Sequence, residues 1–331
     1  MDRAEQLRRW LTITLGSADF RLERASDDAS FRRYFRVRRD GHPPLIAMDA
    51  PPDKEDCRPF LHVARLFSEA GVHVPSVHAR DLEQGFVLLS DLGTTTYLAA
   101  LNADSAGELY RAALEALRRI QLASRPGLLP EYDTTLLERE LRLFPDWYVA
   151  RQLGRPLDAR QREALEKSFE VLLENNLAQA RVFVHRDYHS RNLMVCEPCP
   201  GILDFQDAVF GPVTYDLVSL LRDAYIAWDE ERVLDWTIRY WEAARGSGLP
   251  VPGDFADFYR DFEWMGAQRQ LKVLGIFARL CYRDGKDGYL KDQPLVMRYL
   301  RRTCERYREL APLARLLDEL APSAERMRSV S

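Results

Sequence analysis

Apolar positions along this chain change period near residue 93. Before it the pattern alternates in short runs. Tyr34-Phe35-Arg36-Val37 and Leu45-Ile46-Ala47-Met48 flank Asp40-Gly41 and two prolines, which predicts a hairpin with a slightly long loop. A helix is expected from about Asp53, where Phe60, Val63, Ala64 and Phe67 follow the i, i+3, i+4, i+7 spacing and Gly71 ends the run. Val77-His78-Ala79 and Phe86-Val87-Leu88-Leu89 make two further strands around Glu83-Gln84-Gly85. After Gly93 the period becomes helical. One stripe runs Tyr110, Ala113, Leu114, Leu117 and Ile120, and further helices are expected near 134–150, 160–178, 215–227, 230–245, 254–280 and 294–320. Residues 181–207 interrupt the helices with short strands and loops, and polar residues concentrate there.

Composition narrows the class. The chain has 331 residues, 46% of them hydrophobic and 30% charged, which fits a two-lobed or two-domain globular protein. A net charge of −4 offers no basic excess for gripping nucleic acid phosphates. No run of eighteen apolar residues is present, so no membrane span is expected. The first residues lack an apolar core, so the expectation is a cytoplasmic protein. The odd count of five cysteines fits a reducing compartment. Cys196 and Cys199 form a C-x-x-C within Glu197-Pro198-Cys199-Pro200, but no second pair completes a zinc site, and they read as turn residues.

The chemistry lies in the strand island. Val182-Phe183-Val184 leads into His185-Arg186-Asp187, then Asn192, and after the turn Asp204-Phe205. Centring a hairpin between Pro198 and Cys199 places Asn192 opposite Phe205 and Leu193 opposite Asp204. Asn192 and Asp204 are then within one residue across the ladder. An amide oxygen beside a carboxylate suits Mg²⁺, which takes few protein ligands and fills the rest with phosphate and water. The order and spacing match the kinase pattern H-R-D-x-x-x-x-N followed by Asp-Phe, with Gln206 where glycine is usual. Zinc at His185 and His189 would need a helix, which the preceding strand disfavours, so His185 reads as a structural residue bonding the loop. Asp216 opens the next helix and is expected to cap it or tie it to the catalytic loop. Asp207 is expected to bond local backbone, with a second metal as the alternative.

On these residues the chain resembles the aminoglycoside phosphotransferase and choline kinase branch of the protein-kinase-like fold. Asp28-Ala29-Ser30-Phe31-Arg32-Arg33-Tyr34-Phe35, Met48-Asp49-Ala50-Pro51-Pro52, Val184-His185-Arg186-Asp187-Tyr188 and Leu203-Asp204-Phe205-Gln206-Asp207-Ala208 look closer still. They resemble the bacterial N-acetylmuramate/N-acetylglucosamine anomeric kinases of cell-wall recycling. The resemblance spans nearly the whole chain. It implies a bilobal α+β fold, with a β-rich N-lobe at 1–92 for the nucleotide and a helical C-lobe at 93–331 for catalytic loop, metal and substrate. It further implies ATP with adenine on the backbone of Ser90, Asp91 and Leu92, Asp187 as the base, and Asn192 and Asp204 holding Mg²⁺.

Two departures stand out. The strand expected to carry a phosphate-binding lysine reads Ile46-Ala47-Met48-Asp49, and Ser26-Asp27-Asp28-Ala29-Ser30 replaces a glycine-rich loop. Ser30 with backbone amides is expected to serve in place of the glycines, and Arg32 or Arg33 in place of the lysine. Alternation puts Phe31, Arg33 and Phe35 on one face and Arg32, Tyr34 and Arg36 on the other. The Phe face is expected to bury against the helix at 53–70, Arg32 to reach the phosphates, and Arg36 to matter less; Lys54 is the reserve. An N-acetylmuramate site also needs a cation for the lactyl carboxylate and an apolar wall for the sugar, with Arg191, Trp147, Tyr148, Arg269 and Lys272 as candidates. The competing functions are another small-molecule kinase of this fold, acting on an aminoglycoside or amino alcohol, and a nucleotide-binding scaffold without catalysis.

Overall fold

The computed structural model describes residues 2–26 and 31–321. In chain order the elements are α1 (Arg3–Leu15), β1 (Arg21–Ser26), β2 (Arg33–Arg38), β3 (Leu45–Asp49), α2 (Cys57–Glu69), β4 (Val77–Asp81), β5 (Phe86–Ser90), α3 (Tyr97–Ala100), α4 (Ala106–Leu122) and α5 (Thr134–Leu141). A π-helical segment, Phe144–Gln152, precedes α6 (Ala159–Ala178), β6 (Arg181–Val184), β7 (Leu193–Met194), β8 (Gly201–Ile202) and β9 (Val209–Pro212). Then come α7 (Tyr215–Leu221), α8 (Glu230–Gly246), α9 (Phe255–Asp284), α10 (Gln293–Arg306) and α11 (Ala311–Leu320). The fold is α+β. Packing sorts it into two units, Met1–Ile120 with Arg191–Asp207, and Gln121–Ser190 with Ala208–Ser331. This division by packing differs from the one at residue 92, because α4 and the β7–β8 hairpin group with the N-terminal sheet.

The first unit holds an antiparallel sheet in the order β1-β2-β3-β5-β4. Phe35, Val37, Ala47, Phe86 and Leu88 share a core with Leu7, Trp10 and Leu11 of α1. The Phe35 face therefore packs on α1 and not, as expected, on the helix after residue 53. The signal for α1 was present in Leu7, Trp10 and Leu11, at i, i+3, i+4, but seven polar residues among its thirteen masked it. Helix α2 begins where Asp56 accepts the Arg58 N–H and buries the expected stripe Phe60, Val63, Ala64 and Phe67. Phe60 stacks on Phe205 with centroids 5.0 Å apart, which fixes the segment that follows β8.

The second unit is built around α9, whose middle, Phe262 to Leu274, is almost wholly buried. The α9 helix crosses the chain just before the π-helix so closely that a Cβ on Gly275 would lie 2.3 Å from the Leu143 carbonyl carbon. β6 pairs antiparallel with β9, Val184 opposite Val209. β9 was not expected; it contains Gly211 and Pro212, residue types uncommon inside strands. Here Gly211 is needed for close packing, since a Cβ would meet the Tyr132 side chain at 2.6 Å. The expected helix 294–320 is two helices. It breaks at Tyr307, and Pro312 starts α11 in the first turn, where a missing N–H costs nothing.

Candidate active site

β6 is buried at Val182, Phe183 and Val184, and it delivers the chain into His185-Arg186-Asp187. Asp216, at the start of α7 and fully buried, accepts the backbone N–H of His185 at 2.6 Å and of Arg186 at 3.0 Å. His185 Nδ1 accepts the Asp187 N–H at 3.2 Å. Asp223 then accepts the Ser190 N–H at 2.9 Å, so both ends of the loop are tied to buried carboxylates. Arg186 sits in the left-handed region, at φ 77°. Burial pushes the Asp216 carboxyl up to about 7, against the pull of its two accepted N–H bonds. Burial also pushes Asp187 up, but Lys272, Arg269, His189 and Arg186 outweigh it and hold the carboxyl well below the usual range. Asp187 is therefore ionised at neutral pH, with a side chain 43% exposed.

Of the five expected sugar contacts, four lie in this unit. Arg269 donates to the Arg186 carbonyl at 3.0 Å and to the Tyr215 hydroxyl at 3.1 Å, and lies 4.0 Å from Asp187. Lys272 donates to Tyr215 at 2.8 Å and pairs with Glu140 at 2.9 Å. Both are buried; their charge acts on Asp187, and that of Lys272 on Glu140 as well. Trp147 and Tyr148 are half-buried on the π-helix, where Tyr148 stacks on Phe144 at 5.3 Å. π-Helical turns recur at functional sites, but no periodicity in the sequence announced this one.

The first unit contains a cavity of about 380 Å³. Ile46, Leu89, Leu92, Met194 and Leu203 give it apolar walls, and Ser90, Asp91, Arg191, Asn192 and Asp204 line it as well. Asn192 Nδ2 donates to Asp204 Oδ2 at 3.3 Å, so the expected pair is brought together. The register differs from the expected one: Leu193 faces Ile202 and Met194 faces Gly201. The turn is centred one residue earlier, and Pro198 and Pro200, which have no N–H, end the ladder. The Leu203 N–H still bonds the Asn192 carbonyl at 2.9 Å, which keeps Asn192 beside Asp204. Asp204 has φ 61°, and Gln206 donates to its other oxygen at 2.9 Å. Asp207 is exposed and accepts from Gln206 at 3.5 Å. An amide and a carboxylate in contact are a hard oxygen donor set that fits Mg²⁺, and the apolar walls fit a flat purine. Among the described residues no cluster of three or more His, Cys, Asp or Glu forms another metal site. Cys196 and Cys199 are free thiols, beside His73 Nδ1 at 3.5 Å and the Tyr97 hydroxyl at 3.3 Å.

The phosphate cations are redistributed. Asp49, where a lysine was expected nearby, is buried and paired with Arg3 and Arg33. Arg32 lies 4.0 Å from Glu55, and Lys54 sits over the Phe31 ring. Ser30 lies outside the described residues. Tyr34 and Arg36, which alternation along β2 put on one face, both line the cavity; Arg32 lies just before β2 and does not line it. Arg36 grips Asp91 through two nitrogens at 2.5 and 3.1 Å and reaches the Gly93 carbonyl at 3.0 Å, fixing the 90–93 segment. Ser90 is fixed too, its N–H on the Ser76 carbonyl at 2.9 Å.

A carboxylate held at a strand-to-loop turn, and a hairpin that joins Asn192 to Asp204 beside an apolar cavity, are an arrangement that suits a phosphotransferase. The sequence model of the phosphotransferase enzyme family matches residues 21–251, and the chain belongs to that family. It is 51% identical over 329 residues to an N-acetylmuramate/N-acetylglucosamine kinase of Neisseria meningitidis serogroup B, with 98% of each chain covered. Among solved structures it resembles a choline/ethanolamine kinase family protein from Mesorhizobium loti, with TM-score 0.64, 14% identity, and 95% and 99% of the two chains covered. It also resembles an ADP-bound aminoglycoside phosphotransferase, with TM-score 0.58, 13% identity, and 89% and 97% covered.

Proposed function

We propose that this chain is an ATP- and Mg²⁺-dependent kinase that phosphorylates the anomeric hydroxyl of N-acetylmuramate and N-acetylglucosamine in peptidoglycan recycling. The carrying observation is Asp187, ionised and held by a loop whose backbone is bonded at His185 and Arg186 to Asp216. The similarity to an N-acetylmuramate/N-acetylglucosamine kinase over 98% of both chains supports the substrate class. Asp187 accepts a hydrogen bond from the sugar C1 hydroxyl, orients it, and takes its proton late, as the new P–O bond forms and ADP departs. A carboxylate held this acidic is a weak base, which suits a reaction governed by positioning and charge neutralisation. Asn192 and Asp204 would hold Mg²⁺, whose contribution is to neutralise the phosphate oxygens. Ser90, Asp91 and Leu92 border the adenine, and Arg191, which lines the same cavity, supplies charge that β3 lacks. A nucleotide site of this kind extends beyond residues 1–92 to take in the hairpin. No helix among the described residues is long and apolar enough to cross a membrane, and a cytoplasmic site of action gives access to ATP.

A polycationic aminoglycoside is disfavoured by Arg269 and Lys272, whose charge bears on Asp187. The test is turnover of a panel of amino sugars with ATP and Mg²⁺, with ³¹P NMR of the product. A phosphorus signal coupled to the anomeric proton is expected. Phosphorylation of aminoglycosides alone, or nucleotide binding without turnover, would overturn the reading.

A further inference from the structure

Buried charges persist only when paired, and a buried ion pair seldom stabilises a fold more than apolar replacements would. α5 nevertheless places Glu140 almost fully inside the second unit. It accepts from Arg186 at 2.5 Å, Lys272 at 2.9 Å and Gln268 at 3.3 Å, and from the Tyr132 hydroxyl. Gly211 gives Tyr132 room to reach it. Every polar group facing Glu140 here is a donor, and two of them are cations.

Arg186, the residue before Asp187, is held at three points. Asp216 takes its N–H at 3.0 Å, Arg269 donates to its carbonyl at 3.0 Å, and Glu140 takes its guanidinium. Its backbone is left-handed, a conformation that a bulky residue adopts only when its surroundings impose it. The carbonyl held by Arg269 belongs to the peptide plane that leads into Asp187, so the set of that plane helps aim the carboxylate. Glu140 reaches the second anchor as well, because Lys272 shares the Tyr215 hydroxyl with Arg269.

We propose that Glu140 is a positioning residue for Asp187, acting through Arg186. The proposal rests on the reading of Asp187 as the acceptor base. Removing Glu140 alone would leave two buried cations unpaired, so the comparison is between Lys272→Met and Lys272→Met with Glu140→Gln. The double variant restores the charge of the wild-type cluster and leaves an amide oxygen for Arg186. With N-acetylglucosamine and ATP, the double variant should lose a further tenfold to hundredfold in kcat, on the order expected for a small misplacement of a reacting group. KM for ATP should stay within about twofold, because the nucleotide cavity is built from the other unit, and the thermal midpoint should stay close to that of Lys272→Met. Equal kcat in the two variants would overturn the proposal. If the double variant does not melt cooperatively, Glu140→Asp, which keeps the charge and withdraws it by one methylene, is judged against the wild type by the same criterion. Asp187→Asn in the same assay separates the two levels. Full turnover there removes the reading of Asp187 itself, whereas loss there with equal kcat in the Lys272→Met pair removes only the role of Glu140.

Discussion

At the scale of single residues, the chemistry was more legible than its supports. His185, Asp187, Asn192, Asp204 and Asp216 were singled out by motif and spacing, and the structure brings Asn192 to Asp204 and ties Asp216 to the backbone of His185 and Arg186. Glu140, Arg36 and Tyr34 were not found in this way, because a counter-charge or a cavity wall can come from any element that reaches it. Asp187→Asn should keep the fold and nucleotide affinity while lowering kcat by roughly 10²–10⁴, read from steady-state kinetics beside a binding isotherm. Asp204→Ala should abolish metal-dependent turnover, and Asn192→Ala should raise the Mg²⁺ concentration needed for half-maximal rate. Their contact at 3.3 Å motivates both, and full activity of the Asp204 variant at ordinary Mg²⁺ would count against the pair.

At the scale of elements, alternation along β2 was read correctly and its consequence was not. Period 2 put Tyr34 and Arg36 on one face, but which arginine meets the cavity depends on the lie of the sheet. Arg36 ties β2 to Asp91, so Arg36→Ala should raise KM for ATP several-fold, whereas Arg32→Ala, beside Glu55, should change it little. Equal KM values for the two would remove Arg36 from the nucleotide site. Helices with an apolar stripe on one face, such as α2 and α6, were legible, and so was the β2–β3 hairpin. The π-helix was not, since it interrupts the period by which helices are recognised. Its packing depends on Gly275, where a methyl would enter the Leu143 backbone. Gly275→Ala should therefore cost roughly 1–3 kcal/mol by overpacking, measured by denaturant unfolding.

At the scale of the whole molecule, the change of period near residue 93 was legible and the resemblance implied the α+β class, while the grouping of the hairpin with the sheet depended on packing that no local signal carries. Long-range ion pairs were equally invisible. Glu230, at the start of α8, accepts from Arg222 at 2.6 Å, Tyr259 at 3.0 Å and Arg302 at 2.5 Å, linking α8 to α9 and α10. Burial pushes its carboxyl up, but these donors outweigh it and bring it down to about 2. Its stabilising contribution is therefore complete above its unfolded value of about 4.3 and is lost as pH falls through about 2. Glu230→Gln should cost roughly 1–3 kcal/mol at pH 7, and its thermal midpoint should converge on that of the wild type as the pH is lowered towards 2.

Arg186 and Asp204 are the described non-glycine residues with positive φ, and both belong to the catalytic pattern. At Asp204 this sets durability against turnover. A left-handed L-residue costs about 1 kcal/mol, which glycine would recover, so in a chain of 331 residues Asp204→Gly should melt later by about 1–2 °C and be inert as a kinase. A screen that rewards heat resistance alone would therefore enrich for dead enzyme at this position. Hardening the protein for use requires selection on product formation after heating.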